Sequence, residues 1–209
     1  MMQIHPAGRL QLAVLASGRG SNFDAIYSAT QDGRLDAEIK VLISDKPQAL
    51  ALQKARQREI PAYFVDPGAF ADRSAYEKEL LNRLHQHQVE VVALAGYMRL
   101  VGGVMLKEYP RRIVNIHPAL LPAFTGLHAQ RQALEYGVKF SGCTVHLVDE
   151  GMDTGPIIMQ KVVPIYDDDN EESLTARILE QEHQVYWQSL QLMAAGKLYV
   201  KGHRILVRS

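Results

Sequence analysis

The sequence predicts an α/β protein built on a mostly parallel sheet with helices on both faces, and three observations carry that expectation. Short apolar runs alternate with segments of helical period through the first half of the chain. The run "VEVVALAG" (89–96) is rich in branched residues and almost wholly apolar, as a strand buried on both faces must be. In the second half the rhythm changes, and two β-rich segments stand close together with a short loop between them.

Taken in order, "LQLAVLAS" (10–17) reads as a strand that ends in a glycine-containing turn. "NFDAIYSATQDGRL" follows as a helix, because Phe23, Ile26 and Tyr27 recur at helical spacing. "AEIKVLIS" (37–44) is strand-like, "PQALALQKARQREI" helical, "PAYFV" a strand and "FADRSAYEKELLNRLHQHQ" helical, before the strand at 89–96. Right-handed crossovers then line the strand exits along one edge, where ligands bind in folds of this kind. "RRIVNIHP" is the next strand and "GLHAQRQALEYG" the next helix. "FSGCTVHLV" and "GPIIMQKVVPI", separated by "DEGMDT", predict an antiparallel addition. A long helix spans about 171–195, and "KLYVKGHRILVRS" reads as a hairpin turning at Lys201-Gly202. The acidic run "DDDNEE" suits a helix start better than a calcium loop, since its spacing does not match an EF-hand. No repeat or linker interrupts the pattern. The expectation is therefore one Rossmann-like domain over 1–209, with 1–9 as an N-terminal extension and 196–209 as a C-terminal hairpin.

Composition narrows the function classes. Among 209 residues, Lys+Arg and Asp+Glu both number 23, so broad electrostatic capture of nucleic acid or an anionic membrane is not expected. A local site for a small anion remains open. The single cysteine, Cys143, has no partner for an internal disulfide or a thiolate zinc site, and its apolar setting in "GCTVHLV" predicts buried packing. The N-terminus lacks the pattern of a secretory signal and no segment reads as a membrane span, which makes the cytoplasm the expected setting.

Three motifs can carry chemistry. "SGRGSN" (17–22) lies at the first strand-to-helix turn, where free N–H groups attract an anion such as phosphate. It lacks the third glycine of a dinucleotide fingerprint and the lysine of a Walker loop, and a plain helix cap at Ser21 or Asn22 explains it equally well. In "VNIHPALLP" (114–122), Asn115 and His117 are two apart on an apolar strand, so they face one way just before Pro118 ends regular pairing. An imidazole can pass protons and a carboxamide can donate to an oxyanion, but a hydrogen-bonded structural pair fits the same pattern. "DEGMDTGP" supplies Asp149, Glu150 and Asp153, any of which would orient His117 and raise its pKa if brought near it. Spacing alone does not bring them together. No Gly-x-Ser-x-Gly elbow and no HExxH-type metal motif is present.

"LASGRGSN", "LAGYMRL", "IVNIHPALLPAFTGLHAQRQAL", "GCTVHLVDEGMDTGPII" and "QEHQVY" together resemble the phosphoribosylglycinamide formyltransferases of purine synthesis, over about residues 10–195. The resemblance implies transfer of a formyl group from 10-formyltetrahydrofolate, as cosubstrate, to glycinamide ribonucleotide, with no metal. It implies that Gly20, Ser21 and Asn22 grip the substrate phosphate and that Glu182 contacts its ribose or glycinamide end. Arg73, Met98, Arg99, Leu100 and Val101 would form the formylfolate site with Asn115 and the loop Asp149, Glu150, Gly151, Met152 and Asp153. Asn115, His117 and Asp153 would be the catalytic trio. Both partners would be small molecules, with no nucleic acid or membrane, and a homodimer is compatible with such a sheet. Ala119, Thr125 and Thr154 depart from the residues frequent in that family, and Thr154 adjoins Asp153. The alternatives are a formyltetrahydrofolate hydrolase, a methionyl-tRNA formyltransferase and a non-catalytic nucleotide-binding module. The first would be expected to need a further N-terminal domain and the second a C-terminal one.

Overall fold

A computed structural model describes residues 2–5 and 7–208. The chain begins with β1 (Met2–Gln3), part of a small sheet, and then builds the main sheet from six further α/β segments and one hairpin partner. The strands of the main sheet are β2 (Leu10–Leu15), β3 (Ala37–Ser44), β4 (Ala62–Phe64), β5 (Val91–Leu94), β6 (Ile113–His117), β7 (Phe140–Leu147) and β8 (Ile157–Pro164). The helices are α1 (Ser21–Gln31), α2 (Leu50–Gln57), α3 (Arg73–Gln86), α4 (Gly103–Glu108), α5 (Ala129–Tyr136) and α6 (Glu171–Ala194). Seven strands lie in the order β4-β3-β2-β5-β6-β7-β8, parallel through β6 and antiparallel for the last two. The expected mixed sheet is therefore present.

Period-two alternation along the central strands sorts side chains into two cores. Leu12 and Val14 join Phe23 and Ile26 of α1 and Val185 and Tyr186 of α6 on one face. Ala13 and Leu15 join Tyr76, Leu80 and Leu84 of α3 and Met105 of α4 on the other. Cys143 is fully buried in the first core, and burial pushes its thiol up to about 12, as its apolar setting predicted. The acidic run caps α6. Asn170 and Ser173 form a reciprocal capping box, Glu171 and Glu172 occupy the first turn, and Asp169 takes both Arg177 nitrogens at 2.7 and 2.8 Å.

Three features differ from expectation. α4 is six residues long, too short for its period to register, and exists because buried Glu77 of α3 accepts the Gly102 and Met105 N–H groups at its start. The C-terminal hairpin, β9 (Leu198–Lys201) and β10 (Arg204–Val207), turns one residue later than expected, at Gly202-His203. Gly202 supplies the left-handed φ of 62° that the tight turn requires. The N-terminal extension is not idle, since β1 pairs antiparallel with β9 to complete a separate three-stranded sheet. Among the described residues no helix is long and apolar enough to cross a membrane.

Tyr186 ties α6 to the sheet beneath the site. Its ring is fully buried, and its hydroxyl proton is shared between the carbonyls of Leu94 on β5 and Val114 on β6, at 2.9 and 3.0 Å. Tyr186→Phe keeps the packing and strips that donor. It is expected to cost about 1–2 kcal/mol of unfolding free energy in urea titration, and an unchanged midpoint would contradict the assignment.

Candidate active site

The first half of the site grows from the exit of β2. The chain turns through Ser17 to Gly20 and enters α1, whose N-cap is Gly20 at φ 72°. A Cβ there would sit 2.8 Å from the Cβ of Ala51, so both the backbone angle and the close approach of α2 demand glycine. Among the described residues no side chain caps α1. This overturns the plain-cap explanation of Ser21 and Asn22: the first-turn N–H groups keep their donors free, with the helix dipole behind them. They border a cavity of about 380 Å³, lined among others by Gly20, Ser21, Asn22, Gly96, Gln130 and Glu182.

Glu182 reaches this cavity from α6. Asn22 Nδ2 donates to Glu182 Oε2 at 2.7 Å, and both side chains are buried at 7% exposure. Among the described residues Asn22 Oδ1 has no partner. Burial raises the Glu182 carboxyl to about 7, although the Asn22 bond pulls the other way. The cavity thus offers backbone donors for an anion at one end and an acceptor pair for hydroxyl or amine groups at the other.

The second half forms where β6 and β7 pair. Their antiparallel register sets Asn115 opposite His146 and His117 opposite Thr144. The loop between β7 and β8 folds back so that Asp153 meets this polar patch. Asp153 Oδ2 lies 3.3 Å from His117 Nδ1 and accepts the Gly126 N–H at 2.8 Å, while Oδ1 lies 3.5 Å from Asn115 Nδ2 and 3.6 Å from His146 Nε2. Asp153 adopts a left-handed φ of 55°, a conformation aspartate tolerates better than most residues and one these contacts hold in place. Asn115, His117 and Asp153 are therefore brought together by the fold, as the family resemblance implied.

The hydrogen-bond pattern assigns protons. His146 Nδ1 faces the Leu147 carbonyl at 2.8 Å and donates to it, while Nε2 lies 3.1 Å from Asn115 Nδ2 and 3.6 Å from Asp153 Oδ1. That leaves the second Asn115 N–H only the long approach to Asp153, and available to an incoming oxygen. His117 faces acceptors at both nitrogens, with Nε2 donating to the Phe124 carbonyl at 2.8 Å and Nδ1 toward Asp153. Only the imidazolium satisfies both. Yet burial dominates and depresses the His117 pKa, outweighing the upward pull of Phe124 and Asp153. The expectation that a neighbouring carboxylate would raise it is thus corrected: the carboxylate acts in that direction, and desolvation exceeds it. Asp153 shows the converse balance. Burial pushes its pKa up, but His146, the Gly126 N–H and the His117 charge together hold it below the usual carboxylate range.

Beside this patch lies a narrow cleft lined among others by Arg73, Arg99, Leu100, Val101, Asp149 and Glu150, which also admits Asn115, Gly151 and Asp153. Two expected members stand apart. Met98 borders the α1 cavity instead, and Met152 is half exposed over Gly126 rather than in the cleft wall. Thr154 donates its hydroxyl to Asp149 Oδ1 at 2.6 Å, and Asp149 also accepts the Gly151 N–H at 3.1 Å, so this departure from the family pattern braces the loop internally. Nothing in the structure explains Thr125. Ala119 is fully buried, with its carbonyl bonded to Thr144 Oγ1 at 2.7 Å.

Sequence reasoning missed His146, Thr144 and Tyr97. Thr144 and His146 form an i, i+2 polar pair on an apolar strand, the same signal that singled out Asn115 and His117, but "GCTVHLV" looked apolar overall. Tyr97 lines the cleft and shares a 2.6 Å hydroxyl contact with Tyr76.

A fold with strand exits converging on a one-sided cleft, a free helix N-terminus and an Asn-His-Asp patch has direct counterparts. Residues 10–190 match the formyl transferase family, and the chain belongs to that family. The phosphoribosylglycinamide formyltransferase of Bacillus subtilis (strain 168) is 47% identical over 176 residues, which cover 84% of this chain and 90% of that protein. The solved glycinamide ribonucleotide transformylase 1 of Symbiobacterium toebii is 47% identical with a TM-score of 0.94, covering 96% of this chain and 94% of the other. The trifunctional purine biosynthetic protein adenosine-3 of Drosophila melanogaster is 47% identical over 190 residues; these make up 90% of this chain and only 14% of that longer protein.

Glu182 provides a pH test. Its carboxyl is raised in the folded state, so the stability it allows is complete below the ordinary glutamate range and is lost as pH rises through about 7. Glu182→Gln removes the buried charge and can still accept from Asn22. Its melting temperature relative to wild type is expected to shift upward between pH 5 and pH 8.5 in thermal scans. A pH-independent difference would show that Glu182 ionises normally.

Proposed function

We propose that the chain transfers the formyl group of 10-formyltetrahydrofolate to the amine of 5′-phosphoribosylglycinamide, releasing tetrahydrofolate, as a step of de novo purine synthesis. The observation that carries this is a pair of cavities about the exit of β6: one with free helix donors, which reaches Ile116 and Pro118 on either side of His117, and the Arg73–Arg99 cleft, which reaches Asn115 and Asp153. Gly20, Ser21 and Asn22 take the phosphate, and Glu182 takes the ribose or glycinamide end. Arg73, Arg99, Leu100, Val101 and the 149–153 loop hold the folate, with Met98 between the two subsites.

The glycinamide amine attacks the formyl carbon, and the carbonyl oxygen becomes an oxyanion. The free N–H of Asn115 and the cationic His117 ring meet that charge. Asp153 holds the ring in place and favours its charged form. A proton then leaves the attacking nitrogen and another reaches the departing folate nitrogen, whose bond to carbon breaks. His117 Nε2 faces the substrate once the Phe124 carbonyl gives way to substrate or a relay water. The net neutral chain supports small-molecule partners over nucleic acid or an anionic surface, and the buried, unpaired Cys143 supports the cytoplasm as the setting.

Purified protein should release tetrahydrofolate only when glycinamide ribonucleotide is added, followed by absorbance. Release that ignores the ribonucleotide would favour the hydrolase, and no release at all a binding module. His117→Ala is expected to lower kcat by about 10²–10⁴-fold while the folate Kd stays within a few-fold. A wild-type rate would remove His117 from the chemistry.

A further inference from the structure

The exits of three neighbouring strands, β3, β2 and β5, are tied by one side chain. Ser17 lies two residues past β2, and its hydroxyl donates to Asp45 Oδ1 at 2.6 Å. The same oxygen accepts the Met98 N–H at 2.9 Å. Asp45 directly follows β3 and is 5% exposed, and Met98 lies just past β5. The backbone adds to the tie, because the Ser17 N–H donates to the Gly96 carbonyl at 3.0 Å and the Ala51 N–H of α2 donates to the Gly18 carbonyl at 3.2 Å.

Donor and acceptor roles are settled by chemistry. The Met98 N–H can only donate and takes a lone pair of the Ser17 hydroxyl, whose proton points at Asp45 Oδ1. Ser17 has no proton left for a phosphate, although it opens the phosphate-type loop. Its work is elsewhere. The start of the segment it holds is lightly packed, with the Met98 and Leu100 side chains 63% and 56% exposed, while Arg99 lies over the Tyr76 ring and Val101 packs against the second core. A start with so little burial is positioned by its backbone bonds.

We propose that Ser17, backed by Asp45, is a positioning residue that, through the Met98 N–H, holds the adjoining 99–101 wall of the formylfolate cleft in place against the phosphate loop. The inference rests on the formyltransferase function proposed above. Removing the hydroxyl frees the Met98 N–H and leaves a buried carboxylate without its donor, so the wall loosens while the Asn115, His117 and Asp153 patch keeps its own contacts.

Steady-state kinetics with glycinamide ribonucleotide and 10-formyltetrahydrofolate tests this. Ser17→Ala is expected to raise KM for the formylfolate about tenfold, the effect of one lost hydrogen bond, with kcat reduced by less than about threefold. Ser17→Thr, which keeps the hydroxyl, should restore KM to within about threefold of wild type. Asp45→Ala should reproduce the KM rise, and adding it to Ser17→Ala should bring little further change, as groups acting in one chain of bonds are non-additive. Asp45→Ala decides the question alone if Ser17→Ala does not fold. A formylfolate KM within twofold of wild type in the folded variant overturns the proposal, as does a loss of kcat and melting temperature that threonine does not restore. Wild-type turnover separates the two ideas: if wild type transfers no formyl group the proposed function fails, and if it does while the variants match it only the role of Ser17 fails.

Discussion

The carboxylate of Asp153 is the point on which the site depends. It is largely withdrawn from water and must be compensated, and its neighbours do so from separate parts of the chain: Asn115 and His117 from β6, His146 from β7 and the Gly126 N–H from the loop before α5. Compensating one charge therefore fixes the relative placement of a strand pair and two loops. The backbone of Asp153 accepts a left-handed conformation to make these contacts, a local cost that the surrounding bonds outweigh.

The same arrangement sets opposing demands on His117. Acceptors at both ring nitrogens call for the cation, and burial at 4% exposure calls for the neutral ring. A group held between two such pulls changes protonation in response to small changes around it, which suits the proton-carrying role proposed for it. Glu182 is governed by burial as well, in the direction opposite to His117. Desolvation disfavours whichever form is charged, so it raises an acid and lowers a base.

Much of the architecture was legible in the residues because it rests on local period and burial. The alternation of strand and helix, the antiparallel pair around "DEGMDT", the capping of α6 and the buried Cys143 all follow from patterns a few residues long. Where expectation missed, the deciding term was non-local. α4 needs Glu77 from another helix, and β1 needs β9 from the far end of the chain. Met98 borders the α1 cavity, and its N–H is bonded to Ser17, 81 residues earlier.

The sequence by itself determined the fold class, the residues able to carry acid-base and anion chemistry, and, through five ordered motifs, the family. Alternation along β6 already placed Asn115 and His117 on one side. Only the tertiary structure decided that Asp153 meets them, that His146 orients Asn115, and that burial outweighs the carboxylate in setting the His117 pKa. The physical reason is that side-chain direction is a local property of a strand, whereas desolvation and charge pairing depend on every element packed around a group.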